Sequence, residues 1–427
     1  MNFTKKLILI LIVLFVAANL GFANGRGETD DADPVVRIFG PFGGQDEAKF
    51  NDCVVAFEEE TGIDVVYEAS PDFNTQIMVQ VEGGNPPDIA ALPQPGLMTH
   101  FAGRGHIEPL PQSVIDRIDS NYAPAWRELG SYENNVYGVF HRVNAKSFVW
   151  YPRQPFEARG YTEPQTWDEM MDLMDQIVED GGVPWSIGIE SGGATGWPAT
   201  DWLEDIMLRT AGPEMYDQWV NHEIPFDHPV VVRAAEIMAN IWLEPDYVLG
   251  GTNSIRATSA GDAVLSLFSD PPQAWLHRQG NFIIGNMPQN VRENIEEFVG
   301  VFPLPPIDTE WGTPVLGGGD QFVMFNDRPE VVQFMEYLTT WEACEPWAEQ
   351  GGALFPHQDQ DISAYSTEID QALAQILLQA EVFKFDASDQ MPAEVGAGSF
   401  WSGMADFVSG VPIEVVLEEI EESWPED

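Results

Sequence analysis

Positive charge is what this chain has least of. Its 427 residues hold 69 Asp and Glu against 19 Lys and Arg, a formal net charge of −50, and its five lysines are Lys5, Lys6, Lys49, Lys146 and Lys384. Such a polyanion repels nucleic acid and anionic lipid and has no counterion release to drive binding, so nucleic acid is excluded as a partner. Cysteine is nearly absent. Cys53 and Cys344 are the only two, which rules out a disulfide scaffold and any CxxC metal or redox pair. A P-loop, a GxGxxG turn after a strand, a GxSxG elbow and a HExxH helix are all missing. The seven histidines include none at metal-ligand spacing to another His or Cys. The expectation is no catalytic residue, no cofactor and no metal.

What is present begins with an address. Lys5 and Lys6 precede the apolar run Leu7–Ala18, whose 12 residues fall short of the 18 or so that cross a bilayer. Gly21-Phe22-Ala23 then offers a cleavage site, so residues 1–23 read as a secretory signal peptide and 24–34 as an acidic linker. No cysteine lies near the cut to accept a lipid anchor. The expected location is the periplasm. The rest of the chain is 44% hydrophobic and 11% aromatic by overall composition, which is that of a globular protein with a large core. The acid excess points to a salty habitat, where screening makes a strongly charged surface tolerable.

Val35–Gly40 reads as a strand, a helix follows and ends at Thr61-Gly62, and Ile63–Tyr67 reads as a second strand. This is a strand-helix-strand unit of a parallel sheet. A helix at 74–83 and a buried strand at 88–92 continue the alternation. Ligands of open α/β sheets collect beyond the carboxyl ends of strands, so loops 41–46 and 92–96 are the first places to look. Phe50, Cys53, Val54 and Phe57 share one helical face, and both cysteines read as separate buried thiols. VYGVFHRVNAKSFVWY (136–151) reads as one long alternating strand. Its His141, Arg142 and Lys146 are either partners for nearby carboxylates or a functional cluster. Thr166 and Glu169 form a capping box before a helix whose Trp167, Met170, Met171, Met174 and Ile177 stripe is core. Asp386–Asp389 matches no EF-hand loop and reads as solvated surface.

Tryptophan in glycine-rich loops is the chemical signal. GIESGGATGWPATDW sets Trp197 near Glu190 and Asp201, AGSFWSGM sets Trp401 after Gly396 and Gly398, and Trp275 stands beside His277 and Arg278. A pyranose has apolar C–H faces and a rim of hydroxyls, so its site pairs flat aromatic rings with polar side chains.

The ordered segments FEEETGIDV, GGNPPDIAALPQPGL, YGVFHRVNAKSFVWYP, PWSIGIESGGATGWPATDWLEDIMLR, HRQGNFI, FDASDQMPAEVGAGSFW and SWP resemble the extracellular solute-binding proteins of carbohydrate ABC importers. Within the maltose-binding-like family, the α-glucoside-binding branch is the match. The resemblance implies an α/β periplasmic-binding-protein fold of two lobes, each a mixed sheet flanked by helices, with a ligand cleft between. Lobe one would take 35–140 and 318–355, and lobe two 144–315 and 359–427. Crossings would fall near 141–143, 314–319 and 355–358, with Gly317–Gly319 as a flexible run. By position in the matching motifs, sugar contacts go to Gly44, Gln45, Gln94, Glu190, Thr195, Trp197, Asp201, Trp275, Arg278, Asp320 and Trp401. Trp197, Trp275 and Trp401 would be stacking platforms. Relatives that bind longer maltodextrins carry an aromatic and an acid where this chain has PQPGL, so the implied cargo is a short neutral α-glucoside. It would be handed by a monomeric receptor to an ABC permease. The rival readings are a secreted glycoside hydrolase using cleft carboxylates, and the same receptor carrying a polyol phosphate.

The habitat reading predicts that thermal stability rises with salt. A melting temperature that is flat or falls between low salt and about 1 M, where the Debye length is about 3 Å, would refute it.

Overall fold

The computed structural model describes residues 34–380 and 382–425. The expected signal peptide and the acidic tract Glu28–Asp33 lie outside these. β1 (Val35–Gly40), α1 (Gln45–Thr61) and β2 (Asp64–Ala69) form the expected unit, with β1 parallel to β2 and Val35 opposite Asp64. α1 buries Phe50, Cys53, Val54 and Phe57, and stops at Gly62, whose left-handed backbone lets its N–H reach the Glu58 carbonyl. α2 (Phe73–Glu82) leads to β3 (Ile89–Leu92), in which all four residues are buried. α3 (Pro95–Gly103) starts inside the PQPGL segment, with Pro95 in its first turn.

Residues 136–151 do not make one strand. β4 (Gly138–Ala145) and β5 (Phe148–Pro152) belong to different sheets, and the chain changes sheet at Lys146-Ser147. Every residue of both strands is buried. The polar residues that alternate through it are held inside the protein: Arg142 and Lys146 in ion pairs and His141 on the Ala343 carbonyl.

Among the described residues the larger sheet has six strands. It runs β2, β1, β3 and then β8 (Val315–Met324), the longest member. One edge of β8 pairs with β4 from Gly317 to Val323; the other pairs first with β9 (Phe383–Phe385) and then with β3. The second sheet sets β5 antiparallel between β6 (His277–Arg278) and β7 (Val299–Pro303). Helices flank both sheets, giving two α/β lobes. α4 (Trp167–Glu179) is capped by Thr166, whose hydroxyl accepts the Glu169 N–H, and it buries Met170, Leu173, Met174 and Ile177. One apolar core gathers around α4 and the helix α5 (Trp197–Val220); another spans β1, β3, β4 and β8 and continues into Trp150, Val264 and Val291.

The Gly317–Gly319 run is extended strand rather than a turn. A Cβ on Gly317 would lie 2.2 Å from the Phe383 ring, and one on Gly318 would lie 3.1 Å from Cε of Lys146. These glycines provide room for neighbours.

Cys53 and Cys344 are both buried free thiols. Burial pushes Cys53 up to about 12 and Cys344 well above the usual thiol range, so neither is a nucleophile at neutral pH. A thiol reagent at pH 8 is expected to leave the folded protein unmodified and to label both cysteines in denaturant. Labelling of the native protein, or no labelling after denaturation, would overturn this.

Candidate functional site

The floor of the cleft is laid by β4 and β8, where Arg142 stands opposite Asp320 beside a bulge at Asp320-Gln321. Arg142 donates from Nε to Asp320 at 2.8 Å and from Nη1 to Asp46 at 2.7 Å. Its guanidinium lies 4.3 Å from the centre of the Phe42 ring. Just past the end of β4, Lys146 donates to Asp201 at 2.9 Å and to Asp386. The ammonium also sits 5.5 Å from the centre of the Trp197 ring, within cation–π range.

Behind this floor, the first turns of α5 carry Asp201, Glu204, Asp205 and Arg209, all fully buried. Asp205 accepts from Ser147 at 2.8 Å, from Arg278 at 2.9 Å and from Arg209. Arg209 also donates to the carbonyls of Leu304 and Pro314. Glu204 accepts the N–H groups of Ala387 and Ser388, each at 3.0 Å. The Asp386–Asp389 tract is thus not solvated surface: Asp386 is 2% exposed and Asp389 8%. Its burial is possible because Lys146 faces Asp386 and Glu204 takes up the tract's own N–H groups. Carboxylate oxygens of Asp201, Glu204 and Asp386 lie within 4.8 Å of one another, and the Lys146 ammonium is their cation. Burial drives Asp201, Glu204 and Asp389 well above the ordinary carboxylate range, reinforced by the neighbouring Asp386 charge. Burial alone would raise Asp386 too, but the Lys146 charge and hydrogen bonds from Asp201 and Glu204 hold it below that range. Lys146 stays charged because Asp201 and Asp386 outweigh its own desolvation.

Above the floor opens a cavity of about 660 Å³, within the usual size of small-molecule sites. One wall is Pro41, Ser70, Asp72, Asn74, Thr75 and Gln94; the other is Glu190, Gly192, Trp197, Ser259, Phe282 and Trp401. Trp197 and Phe282 lie with ring centres 5.8 Å apart, tilted by 55°. Gly196 couples the two tryptophans: its φ is 116°, and a Cβ there would meet the Trp401 carbonyl oxygen at 2.0 Å. Two buried polar atoms of the lining have no partner among the described residues. Oε1 of Gln94 and Oδ1 of Asn144 are buried without a hydrogen bond, a costly state that a ligand hydroxyl would relieve.

Of the residues assigned from sequence, Gln94, Glu190, Trp197, Asp320 and Trp401 come together on this cavity. The others do not line it. Trp275 is a member of the second lobe's core, edge-on to Tyr161 with ring centres 5.2 Å apart; its indole has no face free for a sugar. Arg278 is buried on Asp205, and Asp201 lies fully buried behind Lys146. Thr195 uses its hydroxyl to close its own loop on the Gly192 carbonyl at 2.8 Å. Gly44 and Gln45 are exposed at the start of α1, where Gln45 accepts from Arg292. Sequence reading missed Phe282, Asn144, Asp386 and Asp389 as lining residues, and left Arg142 and Lys146 undecided. The cationic cluster within 136–151 and the acids of FDASDQMP were the available signals.

Residues 43–343 match the family of bacterial extracellular solute-binding proteins. The osmoprotective compounds-binding protein GgtB of Synechocystis is 43% identical over 100% of both chains. The alpha-glucosides-binding periplasmic protein AglE of Rhizobium meliloti is 39% identical over 91% of this chain and 86% of its own. Among solved structures, the bacterial solute receptor AcbH superposes with a TM-score of 0.80 at 19% identity, covering 92% of this chain and 98% of that one, which shows the two-lobed fold. The chain belongs to the bacterial extracellular solute-binding proteins, as the solute-binding receptor, not an enzyme, of an ABC importer.

Proposed function

We propose that this receptor captures a short neutral α-glucoside, of a kind that also serves as an osmoprotective compound, and delivers it to its membrane permease. The observation that carries the reading is the convergence of Trp197, Phe282 and Trp401 with the unpartnered Gln94 and Asn144 oxygens on one cavity. Flat rings meet the C–H faces of a pyranose, and the amides and carboxylates meet its hydroxyls. The ligand contacts are Gln94, Asn144, Glu190, Trp197, Phe282, Asp320 and Trp401. Lys146 and Asp386 complete the floor. The names of the two relatives support both halves of the cargo reading, α-glucoside and osmoprotectant.

Charge argues against a polyol phosphate. Arg142 and Lys146, the cations of the lining, are each already held by two carboxylates, and Arg278 does not reach the cavity. The remaining acids of the lining would repel an anion. A neutral sugar meets neither penalty.

Capture proceeds by closure of one lobe on the other. Lobe one takes 35–140 and 318–355, lobe two 144–315 and 359–427, and the crossings lie near 141–143, 314–319 and 355–358. The ligand shifts the open-closed balance only by its differential affinity, about 5.5 kcal/mol to move from 1:99 to 99:1. In the structure α3 already meets the other lobe: a Cβ on Gly96 would lie 2.1 Å from the Met391 carbonyl oxygen.

Fluorescence titration with maltose, trehalose and sucrose is expected to show saturable quenching by at least one of them and no hydrolysis product. Trp197→Ala and Trp401→Ala should each weaken binding by more than about 1 kcal/mol; unchanged isotherms for both would remove the site assignment. Gly96→Val should lower ligand affinity on the order of tenfold or more, while the unliganded melting temperature stays near wild type. Wild-type affinity in that variant would show that the Gly96–Met391 contact plays no part in closure.

A further inference from the structure

Asp389 lines the cavity with its side chain almost wholly buried. Among the buried acids around Lys146 it alone lacks a donor. Asp201 and Asp386 hold Lys146, Asp205 holds Arg278, Asp320 holds Arg142, and Glu204 takes two backbone N–H groups. No described residue donates to either carboxylate oxygen of Asp389, whose backbone N–H is instead given to Asp386 at 3.2 Å. The charged groups that face it are Asp386 on its own tract, Asp201 on α5, Asp320 on β8 and Lys146 past the end of β4. His100 of α3 and Glu394 stand with it around an adjoining smaller space. Acids dominate this company, and Lys146 is already committed to two of them. An ionised Asp389 would be a buried charge with no donor and carboxylates for neighbours, the least favourable setting for that form. Burial and the Asp386 charge accordingly push it upward.

We propose that Asp389 meets the ligand as a neutral carboxyl and donates its proton to a sugar oxygen, so that capture is coupled to the protonation of this one side chain. The inference rests on the neutral-sugar reading above. A sugar hydroxyl brings one donor and two acceptor lone pairs. The unpartnered Gln94 and Asn144 oxygens of the same lining take up hydroxyl protons, and a carboxyl proton serves lone pairs that remain. The ligand then selects the protonated form. Affinity is full below the pKa that Asp389 has in the free protein, and falls by up to about tenfold per pH unit above it.

The test begins without ligand, by comparing infrared spectra of wild type and Asp389→Asn. The substitution should remove the carbonyl stretch of one protonated carboxyl. Wild type, Asp389→Asn and Asp389→Ala are then titrated with whichever of maltose, trehalose and sucrose quenches the wild-type fluorescence. Asn is neutral and still donates, so it should keep affinity within about threefold; Ala should lose about tenfold, the worth of one hydrogen bond. The ratio of wild-type to Asn affinity should fall between about pH 6 and pH 10. Unliganded melting temperatures near wild type verify that both variants fold. No lost carboxyl band, an Asn variant as weak as the Ala variant, or a ratio constant with pH overturns the proposal and leaves the glucoside reading intact. Failure of wild type to bind any of the three sugars overturns the glucoside reading, and the infrared comparison still decides the state of Asp389.

Discussion

The Lys146 ammonium sits where the chain leaves the large sheet for the small one, held by Asp201 and Asp386 and close to the ring of Trp197. Its two partners lie 55 and 240 residues away in sequence, so one charge gathers three distant segments at one point. Burying an ammonium and two carboxylates gives little or no net stability compared with apolar packing, yet removing one partner of such a group costs about 3–5 kcal/mol. The group thus fixes position more than it adds strength. It sets the start of α5 and the FDASDQMP loop against the end of β4. Both tryptophan-bearing segments, Trp197 directly and Trp401 through its contact with Gly196, take their places from that arrangement.

The same cluster shows how so acidic a chain packs its acids beneath the cavity. Asp201, Glu204, Asp205, Asp386 and Asp389 share a small buried volume with Lys146, Arg209 and Arg278. Acids exceed bases there, and burial drives Asp201, Glu204 and Asp389 upward while the Lys146 charge holds Asp386 down. The cations that line the cavity, Arg142 and Lys146, are bound to protein carboxylates.

Much of the framework was legible because its signals are local. The α1 face, the Thr166 cap and the first strand-helix-strand unit each depend on residues within a few turns of one another. The cavity lining was legible mostly where a loop motif itself forms the wall, as at Gln94, Glu190, Trp197 and Trp401, with Asp320 on β8 the exception. Trp275 and Arg278 stand off the cavity because nearness in sequence to a motif does not say which way a side chain turns: Trp275 joins the second lobe's core and Arg278 pairs with Asp205. The Asp386–Asp389 tract looked like solvated surface because its partner Lys146 lies far off in sequence. The sheet change at Lys146-Ser147 carries neither glycine nor proline, so nothing local announces it.

One short piece of β8 carries both a gap in pairing and a cavity residue, Asp320. Along β8, Val315–Gly317 pairs with β9 and Gln321–Met324 with β3, so Gly318–Asp320 is held on that edge by neither. Pairing with β4 continues across the gap and shifts register between Asp320 and Gln321. If the lobes hinge at the proposed crossings, the bend concentrates there, since a strand paired on both edges resists bending and a bulge relieves it. Asp320 and its partner Arg142 occupy that stretch and face the cavity floor. Should the proposed hinge and the proposed Asp320 contact both hold, ligand binding and lobe closure would act on the same residues, with no relay through the rest of the protein.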